Sequence, residues 1–142
     1  MQINSFDELG NALSFLQCVL VARRSKINPE HITWAQYDVL ELLRIRGPLV
    51  PSVISDALGS SRSSTSKILR MLKDKQLIQQ TEGQQDRREQ TTAITNKGQE
   101  FLAGASQSRN EAAEIAASIL TKGEQAIFAE LCHKVAAALQ DK

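Results

Sequence analysis

Residues 50–78 read VPSVISDALGSSRSSTSKILRMLKDKQLI, and 79–95 continue as QQTEGQQDRREQTTAIT. Pro51 suits the first turn of a short helix, where its missing N–H removes nothing the helix would use. That helix is expected to end at Leu58. Gly59 is placed to take the left-handed conformation that closes it, and the Ser61 hydroxyl is placed to cap the next helix. This second helix spans about 61–75, with Thr65, Ile68, Leu69 and Leu72 as one buried stripe. Arg62, Ser63, Ser66, Lys67, Arg70 and Lys73 lie off the stripe. Residues 77–81 and 90–95 alternate loosely, as strands do. Between them lies a polar tip, 82–89, that carries Asp86, Arg87 and Arg88. Two short helices joined by a glycine turn and followed by a basic hairpin form a shape that grips duplex DNA. A helix enters the major groove and the hairpin tip approaches the minor groove.

The flanks are helical. Ser5-Phe6-Asp7-Glu8, Thr33-Trp34-Ala35-Gln36 and Thr121-Lys122-Gly123-Glu124 each match the capping box, in which a hydroxyl and a carboxyl or amide group satisfy free backbone N–H groups. A first helix is expected over 5–26, with Phe6, Leu9, Leu13, Leu16, Leu20 and Val21 at helical spacing. Asn28-Pro29 breaks it, since the residue before proline avoids helix. A second helix runs over 33–46, with Tyr37, Leu40, Leu42 and Leu43 apolar, until Gly47-Pro48 stops it. In the C-terminal third, Phe101, Ala105, Ala112, Ile115, Ala116, Ile119 and Leu120 suggest one long helix, and Ile127, Phe128, Leu131, Val135 and Leu139 another. These end helices are apolar over a wide face and have little of their own domain to bury against. Pairing with a second copy of the chain would cover them; a self-contained helical cap is the plainer alternative.

At 142 residues the chain fits one domain with helical extensions. The formal net charge of +1 hides an asymmetry. Residues 44–97 hold ten Lys/Arg against five Asp/Glu, and the remainder holds seven against eleven. A basic centre between acidic ends suits a polyanion touched only by the middle. No apolar run approaches the length of about 18 residues that a membrane span needs. The N-terminal MQINSFDELGNALSF lacks a basic start and a small-residue cleavage site, so no export signal is read and a cytoplasmic protein is expected. Cys18 and Cys132 sit inside helical patterns and suit a reducing compartment. His31 and His133 lie near no cluster with ligand spacing, and no phosphate loop, nucleophile elbow or acid pair occurs. No metal, cofactor or enzymatic activity is therefore expected.

The junction Leu58-Gly59-Ser60-Ser61-Arg62-Ser63-Ser64, the Asp86-Arg87-Arg88 tip with Ile94-Thr95-Asn96-Lys97-Gly98 after it, and the spacing between the two resemble the multiple antibiotic resistance regulator (MarR) family of bacterial transcription factors. The resemblance covers essentially the whole chain. It implies a mostly α winged helix-turn-helix protein with a small β-hairpin wing, whose N- and C-terminal helices form a dimerisation base. In this chain the base would comprise 1–32 and 99–142, and the DNA-binding lobe 33–98. It also implies a homodimer that reads a pseudo-palindromic operator in double-stranded DNA, most simply a repressor relieved by a small aromatic ligand. Two departures stand out. The family usually has glycine where this chain has Gln76, between recognition helix and wing, so the turn there is expected to differ locally. Gln84 and Gln85 make the wing tip less basic than it could be.

Ser61, Arg62, Ser63, Ser64, Ser66, Lys67 and Arg70 are the candidates for the DNA face. A helix N-terminus aims N–H groups and hydroxyls at phosphate, and the Arg62 fork suits a guanine edge. Asp86 can hold one arginine by a charge-assisted bond while Arg87 or Arg88 reaches the groove. The plain readings are a solvated helix face and a surface ion pair of little worth. Phe15, Trp34 and Tyr37 could line a cleft for an aromatic ligand, although the chain has only six aromatic residues and packing alone would also account for them. Some members of the family sense hydroperoxides with an N-terminal cysteine that precedes an aromatic-rich stretch. Cys18-Val19-Leu20-Val21-Ala22-Arg23 lacks that stretch, so Cys18 is expected to be a buried small hydrophobe, and Cys132 likewise. A winged-helix protein-interaction module that does not bind DNA is the alternative from another functional class, and the basic centre argues against it.

Overall fold

The computed structural model describes residues 7–26, 32–82, 90–104 and 106–140. They form α1 (Glu8–Lys26), α2 (Trp34–Arg46), α3 (Pro51–Leu58), α4 (Arg62–Asp74), β1 (Ile78–Glu82), β2 (Gln90–Ile94), α5 (Asn96–Gly104), α6 (Ser106–Ile119) and α7 (Lys122–Gln140). This is the mostly α architecture with one small hairpin that the sequence predicts. The single long helix expected across 101–120 corresponds to α5 and α6, with Ala105 outside the described residues.

The capping chemistry sets the helix starts. At α2 the Gln36 N–H donates to Thr33 Oγ1 at 3.2 Å, and Gln36 Oε1 accepts from the Thr33 N–H at 3.4 Å. At α7 the reciprocal pair joins Thr121 and Glu124 at 3.1 and 2.9 Å. Ser5 and Phe6 lie outside the described residues. Within them, the Asp7 carboxylate accepts from the Gly10 N–H at 2.6 Å at the head of α1.

The core lies in the middle of the chain. Tyr37, Val39, Leu40 and Leu43 of α2, Ile54 of α3, Leu69 and Leu72 of α4, Leu77, Ile78, and Leu102 of α5 are buried together with Ile32. The buried face of α4 is the expected one, with Thr65, Leu69 and Leu72 inside and Ile68 half-buried. β1 and β2 pair antiparallel in a register that sets Ile78 opposite Ile94 and Glu82 opposite Gln90. A third segment, which the sequence does not announce, joins this ladder. Leu49 and Thr92 exchange both backbone hydrogen bonds, at 3.0 and 2.8 Å. They fasten the link between α2 and α3 to the wing.

Two left-handed turns bound α4. Gly59, at φ 64°, closes α3, with the Ser60 N–H reaching Ser55 O at 3.0 Å. Gln76, also at φ 64°, closes α4. The local difference expected at Gln76 is not found, because glutamine takes the left-handed conformation that glycine would. The hydrogen bonds show why. The Gln76 N–H donates to Lys73 O at 2.9 Å and the Leu77 N–H to Leu72 O at 3.0 Å, the pair that defines a Schellman helix end. Leu72 and Leu77 are both buried there. The Thr95 hydroxyl then donates to Gln76 O at 2.7 Å and accepts from the Gly98 N–H at 3.0 Å. At Gly98, the first turn of α5 passes so close to the residue before β1 and the end of β2 that a Cβ would collide with Leu77 O and lie 2.7 Å from Ile94 Cγ1.

The end helices stand outside this core. Neither α1 nor α7 contains a buried residue. Among the described residues, every exposed large apolar side chain except Ile45 and Met71 lies on α1, α6 or α7.

Three substitutions are expected to separate these constraints in urea denaturation. Gly98→Ala should cost about 1–3 kcal/mol through overpacking against Leu77 and Ile94. Gln76→Gly should stabilise by less than ~1 kcal/mol, because relief of left-handed strain exceeds the added entropy of glycine in the unfolded chain. Ser61→Ala should cost ~1 kcal/mol by removing the cap of α4.

Candidate functional site

The α3–turn–α4 unit presents one face inward and one outward. Ser61 accepts from the Ser64 N–H at 3.0 Å, and Ser61 O accepts from the Thr65 N–H at 2.9 Å. The helix itself offers no partner to the N–H groups of Arg62 and Ser63, because the first turn has no preceding carbonyls. These donors, with the positive end of the helix dipole, favour an anion at this end. Ser61, Arg62, Ser63, Ser64, Ser66, Lys67 and Arg70 are all exposed. Ser63, Ser66, Lys67 and Arg70 recur at helical spacing along one exposed side of α4. The structure therefore brings the candidates of this helix to one surface. Asp86, Arg87 and Arg88 lie outside the described residues; the strands that lead to them end at Glu82 and restart at Gln90.

A second feature lies where α1 meets α2. A cleft of about 710 Å³ is lined by Leu13, Leu16, Gln17, Leu20, Val21, Arg23 and Arg24 of α1, by Trp34, Tyr37, Asp38 and Glu41 of α2, and by Ala112 and Leu139. Trp34 and Tyr37 are the aromatic residues expected there. They meet edge-to-face with ring centroids 5.4 Å apart. Phe15 is not a lining residue. It is 72% exposed, and its position one residue before Leu16 turns it about 100° away from the cleft around the helix.

Arg24 is the hinge of this region. It donates to both carboxylate oxygens of Asp38, at 2.9 and 2.6 Å. Its Cζ lies 4.7 Å from the Trp34 ring centroid, and its backbone carbonyl accepts from Trp34 Nε1 at 3.0 Å. The hydrogen bond to Asp38 raises the pKa of Arg24 above its ordinary value, against the opposing effect of burial. The Arg44 pKa is raised in the same way by its hydrogen bond to Glu41. Arg23 pairs with Glu111 at 3.0 Å and so joins α1 to α6. Sequence reading misses the Arg24–Asp38 pair, because its partners stand on different helices. The available signal was Trp34 and Asp38 at i, i+4, one turn apart on α2.

Cys18 and Cys132 are both exposed, which corrects the expectation of burial. Their helices have apolar faces but no core of the lobe to face. His133 is also exposed, and His31 lies outside the described residues. Among the described residues no three His, Cys, Asp or Glu side chains gather as metal ligands. No helix among them is long and apolar enough to cross a membrane.

Residues 32–89 match the sequence model of the MarR family. No curated protein matches the chain in sequence. In fold, the chain is similar to NadR in complex with 4-hydroxyphenylacetate, with a TM-score of 0.76 at 18% identity and 96% of each chain covered. It is similar to the PcaV transcriptional regulator from Streptomyces coelicolor in complex with its natural ligand, with a TM-score of 0.65 at 22% identity, covering 98% of this chain and 99% of that one. It is also similar to apo MarR from E. coli, with a TM-score of 0.65 at 21% identity, covering 86% and 93% respectively. The matched segment contains α2 to β1, the elements that build the buried core and the exposed face of α4. Residues 32–89 thus match the MarR family model, and the chain as a whole shares the winged helix-turn-helix fold of these solved structures.

Proposed function

We propose that the protein is a homodimeric, sequence-specific regulator of transcription that acts in the cytoplasm as a repressor and is relieved by a small aromatic ligand. The observation that carries this reading is α4. Its apolar stripe is buried against α2, α3 and β1, and its Ser/Arg/Lys face is exposed with a capped N-terminus. Ser61, Ser63, Ser64, Ser66 and Lys67 position the helix on phosphate, Arg62 reads a guanine edge, and Arg70 follows the backbone. Asp86 orients the wing arginines, and Arg87 and Arg88 enter the minor groove or bind its phosphates.

The division of labour is 1–32 and 99–142 as base, and 33–98 as reading lobe. Support for the base comes from the exposed apolar residues of α1, α6 and α7, among them Leu9, Ile119 and Leu139 at 77%, 75% and 66% exposure. Leaving such faces in water is costly at about 25 cal/mol per Å², and a second copy removes that cost for both chains. Two α4 helices held by such a base would read half-sites about 10 bp apart. The cleft between α1 and α2 gives a ligand purchase on base and lobe together. A ligand that binds only one arrangement of the two shifts the population away from the spacing DNA requires.

Selection of bound duplexes from a random pool should enrich a palindromic site; no enrichment of any sequence would refute specific reading and leave the protein-interaction alternative. On the enriched site, Arg62→Ala should reduce discrimination by about 1–3 kcal/mol at one position of each half-site. Joint neutralisation of Arg87 and Arg88 should weaken binding and flatten its salt dependence. An unchanged salt slope would place the wing away from DNA.

A further inference from the structure

We propose that Met71 is an oxidation site, a thioether whose conversion to the sulfoxide by a hypohalous acid weakens the hold of α4 on DNA and whose reduction restores it. The inference rests on the reading of α4 as the helix that meets DNA. Met71 is 48% exposed. Among the described residues, it and Ile45 are the exposed large apolar side chains that lie off the end helices. It follows Lys67 by one helical turn and so borders the Ser/Arg/Lys face of α4. Its sulfur accepts a hydrogen bond from Gln36 Nε2 of α2 at 3.3 Å.

Gln36 is held so that this contact is specific. It is 2% exposed. Its Oε1 accepts from the Thr33 N–H, which fixes which end of the amide is oxygen and turns the nitrogen toward α4. A buried amide N–H thus ends on a thioether, a weak acceptor. The sulfur has two lone pairs, and Gln36 engages one. The other attacks the chlorine of hypochlorous acid and hydroxide leaves. Water then displaces chloride at sulfur and loses its protons, so sulfur gives up two electrons and gains one oxygen. The new oxygen disturbs the join between α2 and α4 in either orientation. Turned toward Gln36, it accepts the amide N–H more strongly but pushes the sulfur back by much of an S–O bond. Turned to water, it leaves the buried amide without its acceptor.

The chain has two methionines, Met1 and Met71, so peptide mass analysis assigns an added oxygen without ambiguity. The 142-residue chain is treated with a small excess of hypochlorous acid and then with a thiol, which returns reversibly oxidised Cys18 and Cys132 to thiols. Affinity is measured on the duplex that the unoxidised chain selects. Met71 should gain one oxygen and affinity should fall roughly tenfold. The loss should survive the thiol and be reversed by methionine sulfoxide reductase. Met71→Leu, treated in the same way, should keep the affinity of its own untreated form. Full affinity with the sulfoxide in place, or no oxygen on Met71, would overturn the inference and leave α4 the DNA-reading helix. So would a loss that Met71→Leu shares or that the thiol alone reverses, since the cysteines would then be its source. An unoxidised chain that binds no duplex would overturn the reading of α4 and the inference with it. Should Met71→Leu unfold, reversal by the reductase decides.

Discussion

The position of α4 relative to the β-hairpin depends on one hydroxyl. Thr95 donates to the carbonyl of Gln76 and accepts from the N–H of Gly98. It thereby joins the end of α4, the end of β2 and the start of α5 at a single point. Around it, Leu77 closes the Schellman end of α4 from the core side, and Gly98 lets α5 lie against the Leu77 carbonyl. Each group is held in place by the others. Gln76 keeps a left-handed backbone that glutamine disfavours because its N–H and its carbonyl are both fixed by partners. The resulting strain is small, on the order of 1 kcal/mol, and a junction of several hydrogen bonds with two buried leucines outweighs it.

How much of this was legible in the sequence follows the range of the forces involved. Local chemistry was readable. Thr33 with Gln36, Ser61, Gly59, Pro51 and Thr121 with Glu124 each specify a helix boundary within four residues, and each boundary stands where its residues put it. The buried stripe of α4 was readable for the same reason, since helical periodicity is itself local. Contacts set by packing between distant segments were not. Nothing near Leu49 announces its bridge to Thr92, and the spacing of Trp34 and Asp38 on α2 marks a shared face without naming Arg24 as its partner. The two cysteines show a different failure. An apolar helical pattern predicts burial, but it does not say in which molecule the burial occurs. Phe15 belongs with them, on the side of α1 that faces neither cleft nor lobe.

The charge distribution has a similar logic. The cations of 44–97 concentrate where α4 turns its polar face outward, and the described side chains of Arg62, Lys67 and Arg70 stand exposed there. Around the cleft, by contrast, each arginine meets a carboxylate. One molecule thus carries a surface with cations available to a polyanion and a recess in which charge is internally balanced. The exposed Arg24–Asp38 pair adds at most about 1 kcal/mol to stability. Its consequence is positional, because it ties the last turn of α1 to the first turns of α2.

Leu13, Leu16, Leu20 and Leu139 line the cleft and also belong to the apolar face of the end helices. On the proposed ligand-relieved dimer the same side chains would serve both assembly and ligand contact, so one altered leucine there would disturb both. The polar wall carries no such double duty. Under the same reading, substitutions at Asp38, Glu41 or Arg24 would alter the polar wall without touching the apolar face proposed for pairing. Under the proposed reading, changes in ligand preference would fall on the first turns of α2 and the last turn of α1, and leave the leucines in place.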